Sequence, residues 1–259
     1  MEGRDVMLAA ERKMKIVEYV RRHGAASVAA LALEFDVHES TIRRDLTEIE
    51  QEGLLKRTHG GVIVEKLAKK EPSFNERFNV QLEQKMRIGK MAASMVEDGE
   101  HIIIDSGTTT IHIAKNLVHR SNITVVTNDI NVAAELRDAP GVKVIVTGGE
   151  LYPSSFMLNG MFTDQVLGSL HVSKAFIGTP AIHPKHGMTH PEAQLVPAKQ
   201  GMVNAAQEVI VVADDTKVGK LSLHSVAPIS AIHTLITGKE APEYVVRQFQ
   251  ESGVNVIAV

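Results

Sequence analysis

Two groups of polar residues in this sequence have types and spacing that suit chemistry. The first is Asp105-Ser106-Gly107-Thr108-Thr109-Thr110, which directly follows the apolar run Ile102-Ile103-Ile104. A small, hydroxyl-rich turn between a strand and a helix puts backbone N–H and side-chain O–H groups at a helix start, where an anion is favoured. Thr127-Asn128, Gly148-Gly149 and Asp214-Asp215-Thr216-Lys217 each follow another apolar run, and Lys199 adds a cation. Lys217 suits a phosphate and Asp214 the hydroxyls of a sugar. The second group is Ser40-Thr41-Ile42-Arg43-Arg44, with Lys56, Arg57 and His59 a few residues on. Arginines present bidentate donors matched to guanine, and small hydroxyls suit phosphate oxygens.

Elements must hold these residues in place. Between residues 11 and 53 the apolar positions recur at helical spacing in three short blocks, the second capped by Ser27 and the third spanning about 39–52. In the third block Ile42, Leu46 and Ile49 share one face. Ser40, Arg44 and Thr47 point the other way, with Thr41 and Arg43 on the flanks. Residues 54–64 place two β-branched stretches around Gly60-Gly61, the pattern of a hairpin wing. A helix, a tight turn, a second helix and a wing form the layout that offers a helix to a DNA groove.

Residues 65–84 turn polar and charged, with Pro72 among them, and read as a linker. From residue 101 onward, apolar runs at 102–104, 123–126, 142–146, 175–177, 209–212, 235–236 and 254–257 alternate with helix-length stretches. This rhythm predicts an α/β fold with a largely parallel sheet, and it puts the polar turns at the carboxyl ends of the strands, where ligands of open sheets collect. The organisation is therefore read as residues 7–64, a linker at 65–84, and an α/β domain at 85–259.

Composition narrows the chemistry. The chain has 259 residues, no cysteine and a net charge of -3, which excludes disulfides, thiol nucleophiles and cysteine-ligated metal. No apolar run is long enough to span a bilayer, so a cytoplasmic location and no membrane partner are expected. Residues 11–64 carry nine Lys or Arg against nine Asp or Glu, so an affinity for nucleic acid has to come from local placement of charge.

The stretch Ser40-Thr41-Ile42-Arg43-Arg44-Asp45-Leu46, followed by Glu52-Gly53-Leu54-Leu55-Lys56-Arg57-Thr58-His59-Gly60-Gly61, resembles the N-terminal signature of the DeoR-type bacterial transcriptional repressors. His38 departs from it, standing where the family more often has a capping Ser. The resemblance continues through the turns at 105–110, 127–128 and 148–149, Lys199 and residues 214–217, and covers roughly residues 7–258. It implies a winged helix-turn-helix followed by a sensor domain related in fold to ribose-5-phosphate isomerase. It also implies a repressor of a carbohydrate-utilisation operon, controlled by a phosphorylated sugar or polyol and needing no cofactor or metal.

On this reading Ser40, Thr41, Arg43, Arg44, Lys56, Arg57 and His59 contact operator DNA. Asp105, Ser106, Gly107, Thr108, Thr109, Thr110, Thr127, Asn128, Gly148, Gly149, Lys199, Asp214 and Lys217 form the effector site, and the chain pairs as a homodimer or homotetramer. Two rivals remain open. A sugar-phosphate isomerase with a fused DNA-binding domain is disfavoured by Thr179-Pro180, which stand where the family usually has Ala-Asp, because proline cannot act as an acid or base. Pro197 likewise replaces an acidic residue common shortly before the lysine. A metal-responsive regulator is suggested by His183, His186 and His190, yet Pro184, Gly187 and Pro191 favour a loop over a helix that would align the rings.

Overall fold

The computed structural model describes residues 8–23, 25–51, 55–58, 60–63 and 71–259. They divide into two compact units, Met1–Lys66 and Leu67–Val259.

The first unit runs α1 (Ala9–His23), β1 (Ala25–Ser27), α2 (Val28–Glu34), α3 (Glu39–Gln51), β2 (Lys56–Thr58) and β3 (Gly61–Ile63). The three strands form an antiparallel sheet with β3 in the centre. Helically spaced apolar residues close one core: Ile16, Val17 and Val20 from α1, Val28 and Leu31 from α2, and Ile42, Leu46 and Ile49 from α3, sealed by Leu55 and Val62. Each such aliphatic side chain stabilises by about 1.5–3 kcal/mol when fully buried, and a unit this small depends on every one. Ser27 Oγ accepts from Ala30 N–H at 3.0 Å and so caps α2. At the head of α3, His38 takes over the role of a serine cap. Its Nδ1 accepts from Ser40 N–H at 3.2 Å and lies 2.8 Å from Ser40 Oγ. Gly61 is required by close packing, since a Cβ there would lie 2.2 Å from the Ala26 carbonyl on the paired strand.

The second unit begins with α4 (Phe74–Phe78) and α5 (Leu82–Ser94), then β4 (His101–Ile104), α6 (Ile111–Leu117), β5 (Ile123–Thr127), α7 (Ile130–Leu136) and β6 (Val142–Val146). A hairpin of β7 (Glu150–Tyr152) and β8 (Met157–Asn159), helix α8 (Met161–Gly168) and β9 (Val172–Gly178) follow, with β10 (Ala181–His183) and β11 (Gly187–His190) behind them. The chain ends α9 (Val196–Ala205), β12 (Ala206–Val212), β13 (His224–Ala227), β14 (Thr234–Thr237), α10 (Glu243–Glu251) and β15 (Asn255–Ala258). Seven strands make one parallel sheet in the order β15-β14-β12-β9-β4-β5-β6.

Successive residues of the central strands feed opposite cores. Ile102, Ile104, Phe176, Ile210 and Val212 pack with α5, α6 and α7, whereas Ile103, Ala175, Ile177, Val209 and Val211 pack with α8, α9 and α10. Both faces are covered, so the strands read in the sequence as unbroken apolar runs. The chain steps outward from β4 through β5 to β6, then returns to lay β9 on the other side of β4 and steps out to β15. The sheet thus reverses direction between β4 and β9, the place where an open sheet leaves a crevice for a ligand.

The linker expected at 65–84 needs correction. Residues 64–70 lie outside the described residues, but residues 71–84 are built into the second unit. Ser73 and Glu76 form a capping box that starts α4, Phe74 is buried against Phe78 and Phe156, and Phe74 N–H donates to the Ser154 carbonyl at 2.7 Å. The polar residues of this segment pair with one another and with the unit, so their composition reflects ion pairing at a structured edge.

Candidate functional site

On the first unit, α3 buries Ile42, Leu46 and Ile49 and leaves Ser40, Arg43 and Arg44 exposed, the Arg44 side chain at 84%. Asp45 sits inside the apolar stripe, only 4% exposed, which for a carboxylate demands a partner. Arg12 of α1 supplies it as a fork, with Nε to Oδ2 at 2.6 Å and Nη2 to Oδ1 at 3.1 Å. The paired carboxylate raises the Arg12 guanidinium further above its ordinary range, chiefly through this hydrogen bond. The fork fixes α3 against α1 and so sets the orientation of the exposed face.

The expected contact residues are not equally free. Arg43 pairs with Glu39 at 2.6 Å, one turn earlier, and Arg44 lies 3.5 Å from Glu48. These are solvent-exposed pairs one helical turn apart, weak enough for a phosphate or base edge to displace. Lys56 is exposed on the wing and Thr41 is half-buried. Arg57 is also half-buried, and its Nη1 donates to Thr47 Oγ1 at 2.9 Å while its backbone N–H donates to Glu50 at 3.0 Å. Arg57 therefore ties the wing to α3. His59 lies outside the described residues.

On the second unit a cavity of about 170 Å³ opens where β4 and β9 diverge. Its floor is the turn after β4: Ser106, Gly107, Thr108 and Thr109 all line it. Ser106 Oγ donates to Asp129 at 2.6 Å, and Asp129 in turn accepts from the N–H groups of Asn131 and Val132 to cap α7. Burial raises the Asp129 carboxyl above its ordinary value despite these hydrogen bonds. One wall is Lys199, on the first turn of α9. Its ammonium donates to Asp105 Oδ2 and, at 2.8 Å, to the Gly178 carbonyl. Gly178 N–H donates back to the same Asp105 oxygen at 3.1 Å. Lys199 and Asp105 thus bridge the ends of β4 and β9 at the switch point, with Asp105 behind the cavity wall.

A second wall combines Lys217 and Asp214, from the turn after β12, with Lys85 of α5. Lys85 is 2% exposed and donates to the Arg77 carbonyl at 2.6 Å. Burial pushes its pKa down to about 8; Asp214 opposes the shift, while Lys217 and Arg77 add to it. The remaining side is closed by Glu71, Pro72 and Arg77 together with His190 of β11. Two or more cations beside hydroxyls and free N–H groups can hold a phosphate, and the carboxylates can accept from hydroxyls.

Of the effector residues expected from the sequence, Ser106, Gly107, Thr108, Thr109, Lys199, Asp214 and Lys217 meet at this cavity. The others do not line it. Thr110 turns inward to the Gly107 carbonyl at 3.0 Å, Thr127 Oγ1 accepts from Asp129 N–H, and Asn128 donates to the Leu158 carbonyl at 3.1 Å. Gly148 accepts from Thr163, and Gly149, at φ +119°, lets the chain pass 2.5 Å from where a Cβ would meet the Asn159 carbonyl. Asn128, Gly148 and Gly149 seat the β7–β8 hairpin and α8 against the sheet, while Thr127 orders the turn into α7. The three histidines separate as well: the His183 and His186 rings lie 5.0 Å apart, whereas His190 faces Glu71. Pro197 occupies the first turn of α9, where its missing N–H is tolerated, and Pro180 lines the cavity.

The sequence reading missed Lys85, Arg77, Glu71 and His190 at this site. For Arg77 and Glu71 the signal was present in Ser73-Phe74-Asn75-Glu76, a capping box beside an aromatic residue.

Residues 12–67 match the DeoR-like helix-turn-helix domain, and residues 80–239 match the DeoR C terminal sensor domain. The chain belongs to the DeoR family. Among its relatives, the HTH-type transcriptional regulator GolR of Listeria innocua is 31% identical, the match covering 96% of this chain and 98% of GolR. The HTH-type transcriptional repressor GlcR of Bacillus subtilis is 34% identical over 90% of each chain. A solved ribose 5-phosphate isomerase from Methanocaldococcus jannaschii aligns over 53% of this chain and 54% of its own, at 15% identity and a TM-score of 0.40. As a DeoR-family member this protein is a DNA-binding transcriptional regulator. Membership through both domains, at this coverage, sets aside the rival reading of an isomerase with an added DNA-binding domain. Among the described residues, no helix is long and apolar enough to cross a membrane.

Proposed function

We propose that this regulator represses a carbohydrate-utilisation operon and changes its hold on operator DNA when a small phosphorylated sugar or polyol enters the cavity of the second unit. The observation that carries the reading is the convergence of Lys85, Lys217 and the Ser106-Gly107-Thr108-Thr109 turn on one cavity at the switch point of the sheet. The turn and the two lysines suit the phosphate, while Asp214 suits hydroxyls of the carbon chain.

Exposed Ser40, Arg43, Arg44 and Lys56, with Thr41 beside them, are the groups proposed to meet DNA, Arg43 and Arg44 at base edges and Lys56 at phosphate. Arg57 supports the arrangement through Thr47. Two or four copies are proposed to act together, because one small reading helix has limited affinity and a symmetric pair doubles the contacts. Regulation requires that the effector bind the DNA-competent and DNA-incompetent states with different affinity.

The test is a thermal-shift screen of phosphorylated sugars and polyols on the full chain, followed by operator-binding assays with each hit. A ligand of the folded state raises the melting temperature, and a true effector also changes operator affinity. Silence across the panel would remove the cavity reading; steady turnover of any sugar phosphate would overturn the regulator-only role.

A further inference from the structure

The proposed effector cavity already contains a carboxylate. Glu71 is half-buried at its rim, with Oε1 2.7 Å from Arg77 Nη1 and Oε2 3.4 Å from His190 Nε2. His190 is 1% exposed, and its Nδ1 accepts from the Glu192 N–H at 3.1 Å. The ring proton of a neutral His190 therefore sits on Nε2 and is directed at Glu71. Arg77 cannot shed its charge, and its side chain is only 14% exposed, as enclosed as the Glu71 it pairs with.

We propose that Arg77 and His190, with Lys199 nearby, form a second anion subsite of the cavity, which Glu71 fills while no ligand is bound and must leave for an anionic group to enter. The proposal rests on the cavity being the effector site. Three observations support it. Arg77 and His190 line the same cavity as Lys199 and the Ser106 turn, so an anion entering there meets the donors that Glu71 occupies. Burial alone would push the Glu71 carboxyl up, yet the hydrogen bond from His190 and the charges of Arg77 and Lys199 hold it below the usual range; the surroundings are thus built for an anion. Glu71 also lies two residues before Ser73, the cap of α4, and is held to the second unit through Arg77 and His190. A ligand that takes over the donors of Glu71 releases the start of this segment, which gives ligand binding a defined structural consequence.

The geometry makes Glu71 a competitor of the ligand. Removing one like charge from an anion site changes affinity by about tenfold for each pK-unit equivalent of interaction. The experiment uses the full chain and inorganic phosphate as probe, followed by equilibrium dialysis, with far-UV circular dichroism to check folding. Glu71→Gln should bind phosphate about tenfold more tightly than the parent chain. Glu71→Asp, which keeps the charge but shortens its reach, should give a smaller gain and serves if Glu71→Gln does not fold. Adding Arg77→Gln to Glu71→Gln should abolish the gain. If the gain survives loss of Arg77, a general charge effect explains it and the subsite is wrong. If Glu71→Gln leaves phosphate affinity unchanged or weaker while Lys217→Ala still weakens it, the cavity reading stands and the displacement fails. If Lys217→Ala and Glu71→Gln are both without effect, the cavity reading fails and takes this proposal with it.

Discussion

The Lys199 ammonium rests on the Asp105 carboxylate, and the pair joins the ends of β4 and β9 where the sheet reverses direction. Both residues are buried, Asp105 completely and Lys199 to 4% exposure. The Coulomb attraction between them is offset by the cost of taking both charges out of water, so the pair positions the two strand ends more than it stabilises them. Breaking it is another matter. Lys199→Met leaves Asp105 charged, buried and unpaired, and should destabilise the α/β unit by about 3–5 kcal/mol. The companion change Asp105→Asn in the same chain should restore part of this loss, because the remaining group is neutral. Urea unfolding of the single and double variants measures both quantities, and simple additivity would show that the two residues are not coupled.

Lys85 gives the cavity a pH dependence of predictable sign. Its pKa is pushed down to about 8 by burial first and by Lys217 and Arg77 after it. A bound phosphate favours the protonated lysine, so binding near pH 8 takes up a proton and affinity falls as pH rises above that value. Titration calorimetry with phosphate in two buffers of different ionisation heat should give different apparent enthalpies at pH 8, and Lys85→Met should remove most of the difference. The same lysine affects folding. Its folded pKa lies below its unfolded value of 10.5, so the unfolded chain holds more protons between about pH 8 and 10.5, and stability rises with pH across that window.

His112 acts in the acid range. It is 4% exposed on α6, its ring stacks on Phe78, and its Nε2 has no hydrogen-bond partner among the described residues. Burial, with smaller contributions from Lys115 and Lys85, pushes its pKa from 6.5 down to about 4. Protonation therefore favours unfolding, and the stability is intact above pH 6.5 and is lost as pH falls from 6.5 towards 4. The shift corresponds to on the order of 3 kcal/mol. His112→Phe keeps the stacking, removes the unpaired nitrogen, and should flatten this limb of the stability profile measured by urea unfolding at pH 7 and pH 4.5. An unchanged slope would assign acid sensitivity to other groups, His183 first, whose pKa burial also lowers to about 4.

The parallel sheet was legible because its central strands are buried on both faces and show as apolar runs. The turn after β4 was legible as a small, hydroxyl-rich segment between a strand and a helix, and it lines the cavity. Thr127-Asn128 and Gly148-Gly149 looked the same, yet they hold a hairpin and the turn into α7 in place. A polar turn at a strand end serves a ligand or its own backbone equally well, and only the third dimension separates the two. The cavity rim at 71–77 was missed for the opposite reason. Glu71 and Arg77 satisfy each other across six residues, and a self-paired charged segment has the composition of a linker. Asp45 could have been found, since a carboxylate at the interior spacing of Ile42, Leu46 and Ile49 must have a cation. Which cation it has, Arg12, depends on how α1 crosses α3.

The proposed operator contacts include three arginines and a lysine that the first unit treats differently. Arg44 is 84% exposed and, among the described residues, lies 3.5 Å from Glu48 in an exposed pair, so it is available to a base edge. Arg44→Ala should cost about 1–3 kcal/mol of operator affinity and relax sequence choice at one position of each half-site. Lys56→Ala should weaken binding to all sequences alike and lower the salt slope by about one unit for each copy bound, as expected of a phosphate contact. Arg57→Ala should act indirectly, because it releases Thr47 and the link from wing to α3. It should lower the melting temperature of the unit, which Arg44→Ala and Lys56→Ala leave alone. Fluorescence anisotropy with operator and scrambled duplexes over a range of salt, paired with thermal melts, separates the three behaviours. Sequence discrimination that survives Arg44→Ala and fails with Arg57→Ala at full stability would move base reading from α3 to the wing.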